Sequence, residues 1–138
     1  MEKVAFVGIC GQSVFLKGKN IAKIGESRSF DEMHIELGGK GINSALTAHK
    51  LGGNVSFFTA IGQDSYAIEC KKFFQQEGMN VFFVEKEDVQ TDYGVIMNDE
   101  DGNNCVSVYL DASSKMVRQD LTIFEHEIKA SSYLVTQA

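Results

Sequence analysis

From Lys3 to Val135 the chain alternates apolar, β-type runs with stretches of helical periodicity, and most of the links between them are a few residues long. Parallel strands need a crossover between them, so this rhythm restricts the chain to βαβ units around a mostly parallel sheet. KVAFVGI (Lys3–Ile9), closed by Gly8 and Gly11, suits a strand buried on both faces. Ile42, Ala45, Leu46 and His49 then fall at i, i+3, i+4 and i+7, with Ala48 and Leu51 widening the stripe, which predicts a helix ended by Gly52-Gly53. Val55 to Ile61 is the next β-type run. Ser65 is the expected N-cap of a second helix that carries Ala67, Cys70, Phe73 and Phe74 and stops at Gly78. Val81 to Val84 returns as a strand, Leu121, Phe124 and Ile128 share one helical spacing, and Tyr133-Leu134-Val135 reads as a last strand. The expected class is α/β, with helices on both faces of the sheet.

Two polar β-segments break the rhythm. Residues 13–37 mix apolar and charged residues without helical period, punctuated by Gly18 and Gly25. Residues 91–111 hold two β-rich runs, Tyr93 to Met97 and Cys105 to Leu110, joined by a polar hairpin over residues 98–104. Together they are expected to form one small second sheet. With 13 glycines and no proline, against roughly seven prolines for average usage, chain reversals rest on Gly, Asn and Asp. No repeat or linker divides the chain, so residues 1–138 read as one unit.

Charge and cysteine usage exclude several classes. A net charge of −6 gives no electrostatic reason to bind nucleic acid or an anionic membrane. No apolar run approaches the roughly 18 residues of a spanning helix, and Val4 to Cys10 is too short for a signal, so a cytoplasmic location is expected. Cys10, Cys70 and Cys105 are odd in number and widely spaced, which argues against a disulfide scaffold or a zinc site. Asp99-Glu100-Asp101-Gly102-Asn103 lacks the glycine position and closing glutamate of a calcium loop and reads as a turn. His49 reads as a packed histidine and the paired phenylalanines as core. Cys10 is expected beside the pocket, with nothing near it in sequence to lower its pKa.

The strongest local feature is Gly38-Gly39-Lys40-Gly41-Ile42-Asn43 at a helix start. Glycines allow close backbone approach, a helix N-terminus favours electron-rich oxygen, and Lys40 and Asn43 supply directed donors, so a polar small molecule suits it. It is neither a P-loop nor GxGxxG, because GxxxxGK[ST] is absent and Ser44 takes the final glycine position.

Extended along the chain, the spacing gives Gly38-Gly39-x-Gly41-x-Asn43-x-Ala45, then Gly52 and Gly62. This resembles the first signature of the ribokinase-like (phosphofructokinase-B, PfkB) carbohydrate kinases. The flanks agree: the entry strand Val4 to Gly8, the turn Ile61-Gly62-Gln63-Asp64, the helix end Phe73 to Gly78, Tyr93-Gly94-Val95, and Val106 to Ser113. The resemblance implies a ribokinase-like (Rossmann-like) sheet with a small β-sheet lid, drawn from residues 13–37 and 91–111, that closes over a sugar. It implies substrate contacts from Gly39, Lys40, Gly41 and Asn43, with Gln12 and Ser13 nearby. It also implies ATP and magnesium as the cofactors of the full-length family, with neither expected on this chain, and a homo-oligomer formed through the lid or an exposed sheet edge.

Two departures follow from the same comparison. Relatives carry Asn and Asp after the first strand as anchors for sugar hydroxyls, and the matching positions here are Gly11 and Ser13, which removes a carboxylate acceptor. The family's Gly-Ala-Gly-Asp motif, which holds the catalytic aspartate, is absent. The chain is therefore expected to be a truncated N-terminal, substrate-binding portion of a sugar kinase, inactive alone and with no catalytic residue of its own. The alternative is a non-enzymatic binding or oligomerising remnant of the kinase fold.

Overall fold

The computed structural model describes residues 2–137. Its main sheet is built from β1 (Lys3–Val7), β4 (Asn54–Ile61), β5 (Asn80–Glu85) and β8 (Tyr133–Thr136), in the order β5-β4-β1-β8. Every pairing in it is parallel, as the alternating pattern requires. A second sheet has the order β3-β2-β6-β7, from β2 (Gly11–Lys17), β3 (Glu32–Gly38), β6 (Tyr93–Asn98) and β7 (Asn104–Tyr109). The two polar excursions thus meet: β2 runs parallel to β6 and antiparallel to β3, and β6–β7 is the expected hairpin.

The main sheet is covered on both faces. Phe6, Val55 and Phe57 pack against Ile42 and Ala45 of α1 (Lys40–Lys50) and Cys70 and Phe74 of α2 (Ser65–Glu77). On the opposite face Ala60 and Val84 gather Ala112, Met116 and Phe124, and Phe58 stacks on Phe82 with ring centroids 4.8 Å apart. Because β4 is central, all its residues after Asn54 are buried, which explains why its sequence is continuous rather than alternating.

Two expectations fail locally. Ser65 is the first residue of α2 and not its cap; the cap is Asp64, whose Oδ1 accepts from the Ala67 amide at 2.8 Å. Leu121, Phe124 and Ile128 do not share one helix. The segment divides into α3 (Arg118–Thr122) and α4 (Glu125–Lys129), with Phe124 between them. Phe124 is drawn into contact with Phe58 and Phe82, at 5.7 and 5.2 Å, and burying its ring there outweighs the few hydrogen bonds of an unbroken helix.

Asp64 also ties α2 to the strand that leads into β6. Its Oδ2 accepts from the Thr91 amide at 2.7 Å and its Oδ1 from the Thr91 hydroxyl at 2.9 Å. Burial opposes ionisation, but these donors outweigh it and hold the carboxyl below the ordinary aspartate range. Asp64→Ala is expected to cost about 2 kcal/mol, a helix cap plus a charge-assisted tie. A group whose folded pKa is depressed stabilises fully above its unfolded value of about 3.9 and loses that contribution as pH falls through the lower folded value. Urea denaturation of both proteins at pH 7 and below pH 3 should therefore show the gap narrowing in acid.

Candidate functional site

The site is built where β1 ends and α1 begins. Gly8 and Gly41 lie in backbone contact: a Cβ on Gly41 would stand 2.7 Å from the Gly8 Cα and carbonyl carbon and from the Ile9 nitrogen. Gly39 has φ +123°, and a Cβ there would lie 2.6 Å from the Ile9 oxygen. The glycines expected to bring backbone towards a ligand therefore first bring two chain segments together.

The amides of the first turn of α1 are largely taken by protein. Gly41 N–H donates to Gln137 Oε1 at 2.8 Å, Ile42 N–H to the Ile9 carbonyl at 3.1 Å, and Asn43 N–H to the Gly39 carbonyl at 3.0 Å. Gln137 Oε1 also accepts from Ile9 N–H at 3.3 Å. What the turn offers outward is the Lys40 and Asn43 side chains, both on exposed residues. Lys40 ion-pairs with no carboxylate among the described residues.

Two hollows flank this turn. One, of about 70 Å³, lies between Ile9, Gly38 and Gly39 and the second sheet, whose Gly11, Gln12, Ser13, Tyr93, Gly94 and Val108 line it together with Asp92 and Leu110. The other, of about 250 Å³, is lined by Phe6, Val7, Lys40, Gly41, Ser44 and the segment Val135–Gln137. Gln12, Ser13 and Gly39 thus stand together in the first hollow and Lys40 and Gly41 in the second, with the helix start between them. Asn43, at the end of the same turn, lines neither.

Cys10 is fully buried and lines neither hollow; its side chain turns into the core, with Sγ 3.9 Å from Cys70 Sγ. That neighbouring thiol, then burial, pushes the Cys10 pKa well up, so it is no nucleophile. His49 caps the neighbouring helix end, its Nε2 lying 3.0 Å from the Glu77 carbonyl oxygen. Asp99 closes its own turn through Asn103, as the hairpin reading requires.

The sequence reading passed over Asp92 and Asp111. Both are buried, and they hold the two ends of the second excursion together. Asp111 Oδ2 accepts from Gln90 N–H at 2.9 Å, and Asp92 Oδ1 accepts from Asp111 N–H at 2.9 Å and Ser113 N–H at 3.2 Å. The Gln90 amide and then the Lys115 ammonium hold the Asp111 carboxyl below its usual range. An aspartate beside a β-run carries no periodic signal, so only the fold could reveal these two.

Residues 1–138 match the family model of the pfkB family carbohydrate kinases. A ribokinase of Dictyostelium discoideum is 24% identical over 137 residues, covering 99% of this chain and 43% of that protein. The structure of a ribokinase from Giardia lamblia superposes with a TM-score of 0.92 at 18% identity, over 99% of this chain and 42% of the other. A ribokinase from Cryptococcus neoformans var. grubii, solved with ADP, gives a TM-score of 0.74 at 26% identity, over 81% of this chain and 36% of the other. The chain thus spans less than half the length of these relatives. With the signature at the start of α1, the parallel sheet and the second sheet beside it, the match over the whole chain shows that this protein belongs to the pfkB family of carbohydrate kinases.

Proposed function

We infer that this chain supplies the sugar-binding part of an ATP-dependent carbohydrate kinase, with the second sheet acting as a lid over the substrate. The observation that carries this reading is the hollow enclosed by Gly38 and Gly39 on one side and by β2, β6 and β7 on the other. Gly39, Gln12 and Ser13 would meet sugar hydroxyls from inside it; Lys40, in the second hollow across the helix start, and Asn43, on the exposed helix surface, are the donors that the family resemblance adds. Gly41 acts by letting the helix start sit against β1. Closure of the lid would exclude water from the transferring phosphoryl group and strengthen the polar contacts inside.

ATP is the expected phosphoryl donor, in keeping with the ADP held by the Cryptococcus relative. Magnesium enters such reactions on the nucleotide's phosphates with one or two carboxylates, and it is expected with ATP in the full-length family. No Gly-Ala-Gly-Asp sequence occurs in the chain. Its part in the reaction is therefore to bind and orient the acceptor hydroxyl.

Calorimetry with a panel of pentoses, hexoses and nucleosides tests the reading. At least one should bind, and Lys40→Ala and Asn43→Ala should each weaken it about tenfold, the loss of one hydrogen bond from a polar or charged donor. The same chain with ATP, magnesium and that sugar should release no phosphosugar. Absence of any binding, or clear turnover, would overturn the assignment.

A second reading is favoured by the surface of one sheet. Val106 and Val108, 54% and 64% exposed, lie open on the face of the second sheet that carries Ser13 and Gly94, with Met33, Ile35 and Tyr109 open on the opposite face. Such apolar surface suits contact with a second copy of the chain. At the other sheet, β8 pairs with β1 and has no further neighbour among the described residues, which leaves an open edge. A dimer in sedimentation that persists when sugar binding is absent would favour an oligomerising module without catalysis.

A further inference from the structure

We propose that Asp92 is the carboxylate that accepts a hydrogen bond from a substrate hydroxyl in this protein, in the hollow where Gly11 and Ser13 offer none; this rests on the sugar-binding reading above. Asp92 is 2% exposed and lines the hollow beside Gly11, Ser13, Gly38 and Gly39. Its two oxygens are used unequally. Oδ1 is held by the amides of Asp111 and Ser113, whereas Oδ2 is buried and has no partner. No Lys or Arg pairs with it among the described residues.

A buried carboxylate oxygen without a donor is costly, so the fold retains it at the expense of stability unless something else supplies the hydrogen bond. Two fixed amides on Oδ1 orient the group before any ligand arrives, which lowers the ordering cost of binding. The adjoining wall is shaped around it. The Asp92 carbonyl accepts from Gln12 N–H at 2.8 Å, and a Cβ on Gly11 would come within 2.5 Å of that carbonyl oxygen and 3.0 Å of the Asp92 Cβ. Gly11 is thus the residue that lets Asp92 lie against the hollow. The remaining lining is neutral: the Ser13 hydroxyl, the Gln12 amide, glycine backbone and the apolar Ile9, Val108 and Leu110. One acceptor in such a setting suits a neutral polyol whose hydroxyl donates and whose carbon face rests on the apolar wall. It does not suit a metal ion, which needs several oxygen ligands.

The test is an NMR titration of the 138-residue chain with the sugar found by calorimetry, observing backbone amides and the Asp92 side-chain carboxyl carbon. Sugar should move the Gly39 amide and the Asp92 carboxyl resonance together with one affinity. Asp92→Asn keeps an oxygen for the amides of residues 111 and 113 but replaces the free acceptor with a donor. It should weaken binding about tenfold or more while the protein stays folded, as judged by its amide spectrum. A folded Asp92→Asn protein that binds as tightly as wild type would overturn this proposal and leave the sugar-binding reading standing. Should that variant not fold, the wild-type carboxyl resonance decides: if it stays still while Gly39 moves, Asp92 is not the acceptor. If no sugar moves either signal, both readings fall.

Discussion

Phe58→Ala will remove about 4 kcal/mol of folding stability, the largest single loss expected from a core truncation here. Phe58 is fully buried in the central strand β4, stacked on Phe82 at an interplanar angle of 10° and tilted against Phe124. The three rings join the main sheet to the broken helical segment α3–α4, beside the Lys3–Glu127 and Lys86–Asp120 ion pairs. Phe57, its neighbour, faces the other side among α1 and α2 and meets Phe74 at 5.9 Å. Deleting Phe58 leaves a ring-sized cavity that the stiff sheet cannot close, and Phe124 loses the reason for breaking the helix. Urea denaturation should show the midpoint falling sharply, and hydrogen exchange should show β8 opening early, because α3–α4 leads directly into it. A loss under 1 kcal/mol would mean that the face is not packed as described.

Gly41→Ala will destabilise the protein by about 2–3 kcal/mol, although glycine-to-alanine inside a helix ordinarily stabilises by about 0.5–1 kcal/mol. The sign reverses because the added methyl would meet main-chain atoms of Gly8 and Ile9 at 2.7 Å, and main chain cannot swing aside as a side-chain tip can. Gly8→Ala should behave alike, since its Cβ would meet the Gly41 Cα at the same 2.7 Å. The two effects should not add: once the helix start has moved off β1, the second methyl costs little. The function should suffer with the fold, because the same shift displaces Gly39 and Lys40 from the two hollows. Paired denaturation and sugar titrations check both. A stabilised Gly41→Ala protein would show that the two segments are not in contact.

Much of the architecture was legible in the residues. The β-type run at Val55–Ile61 marked a strand, and β4 lies in the centre of the sheet with every residue after Asn54 buried. The stripe Ile42, Ala45, Leu46 marked α1, and Ile42 and Ala45 are buried. The spacing of the glycines around Lys40 pointed to the family that the whole-chain match shows. These signals are local and periodic, and burial of a face imposes them on neighbouring residues. The cap of α2 was missed by one residue because Asp64 and Ser65 are both good caps; only the position of Thr91 decides between them.

What the chain determined by itself is therefore its class, the order of its elements and the helix start that carries Gly39, Lys40 and Asn43. Only the tertiary structure decided how those residues divide between two hollows, that Gln137 takes the Gly41 amide, and that Asp92 stands buried with one oxygen free. The physical reason is distance along the chain: Gly41 and Gln137 lie 96 residues apart. Periodicity reports what one element buries, whereas a hydrogen bond across the fold leaves no pattern in either partner's neighbourhood. A carboxylate's free oxygen is a property of the space around it, and that space exists only once both sheets have assembled.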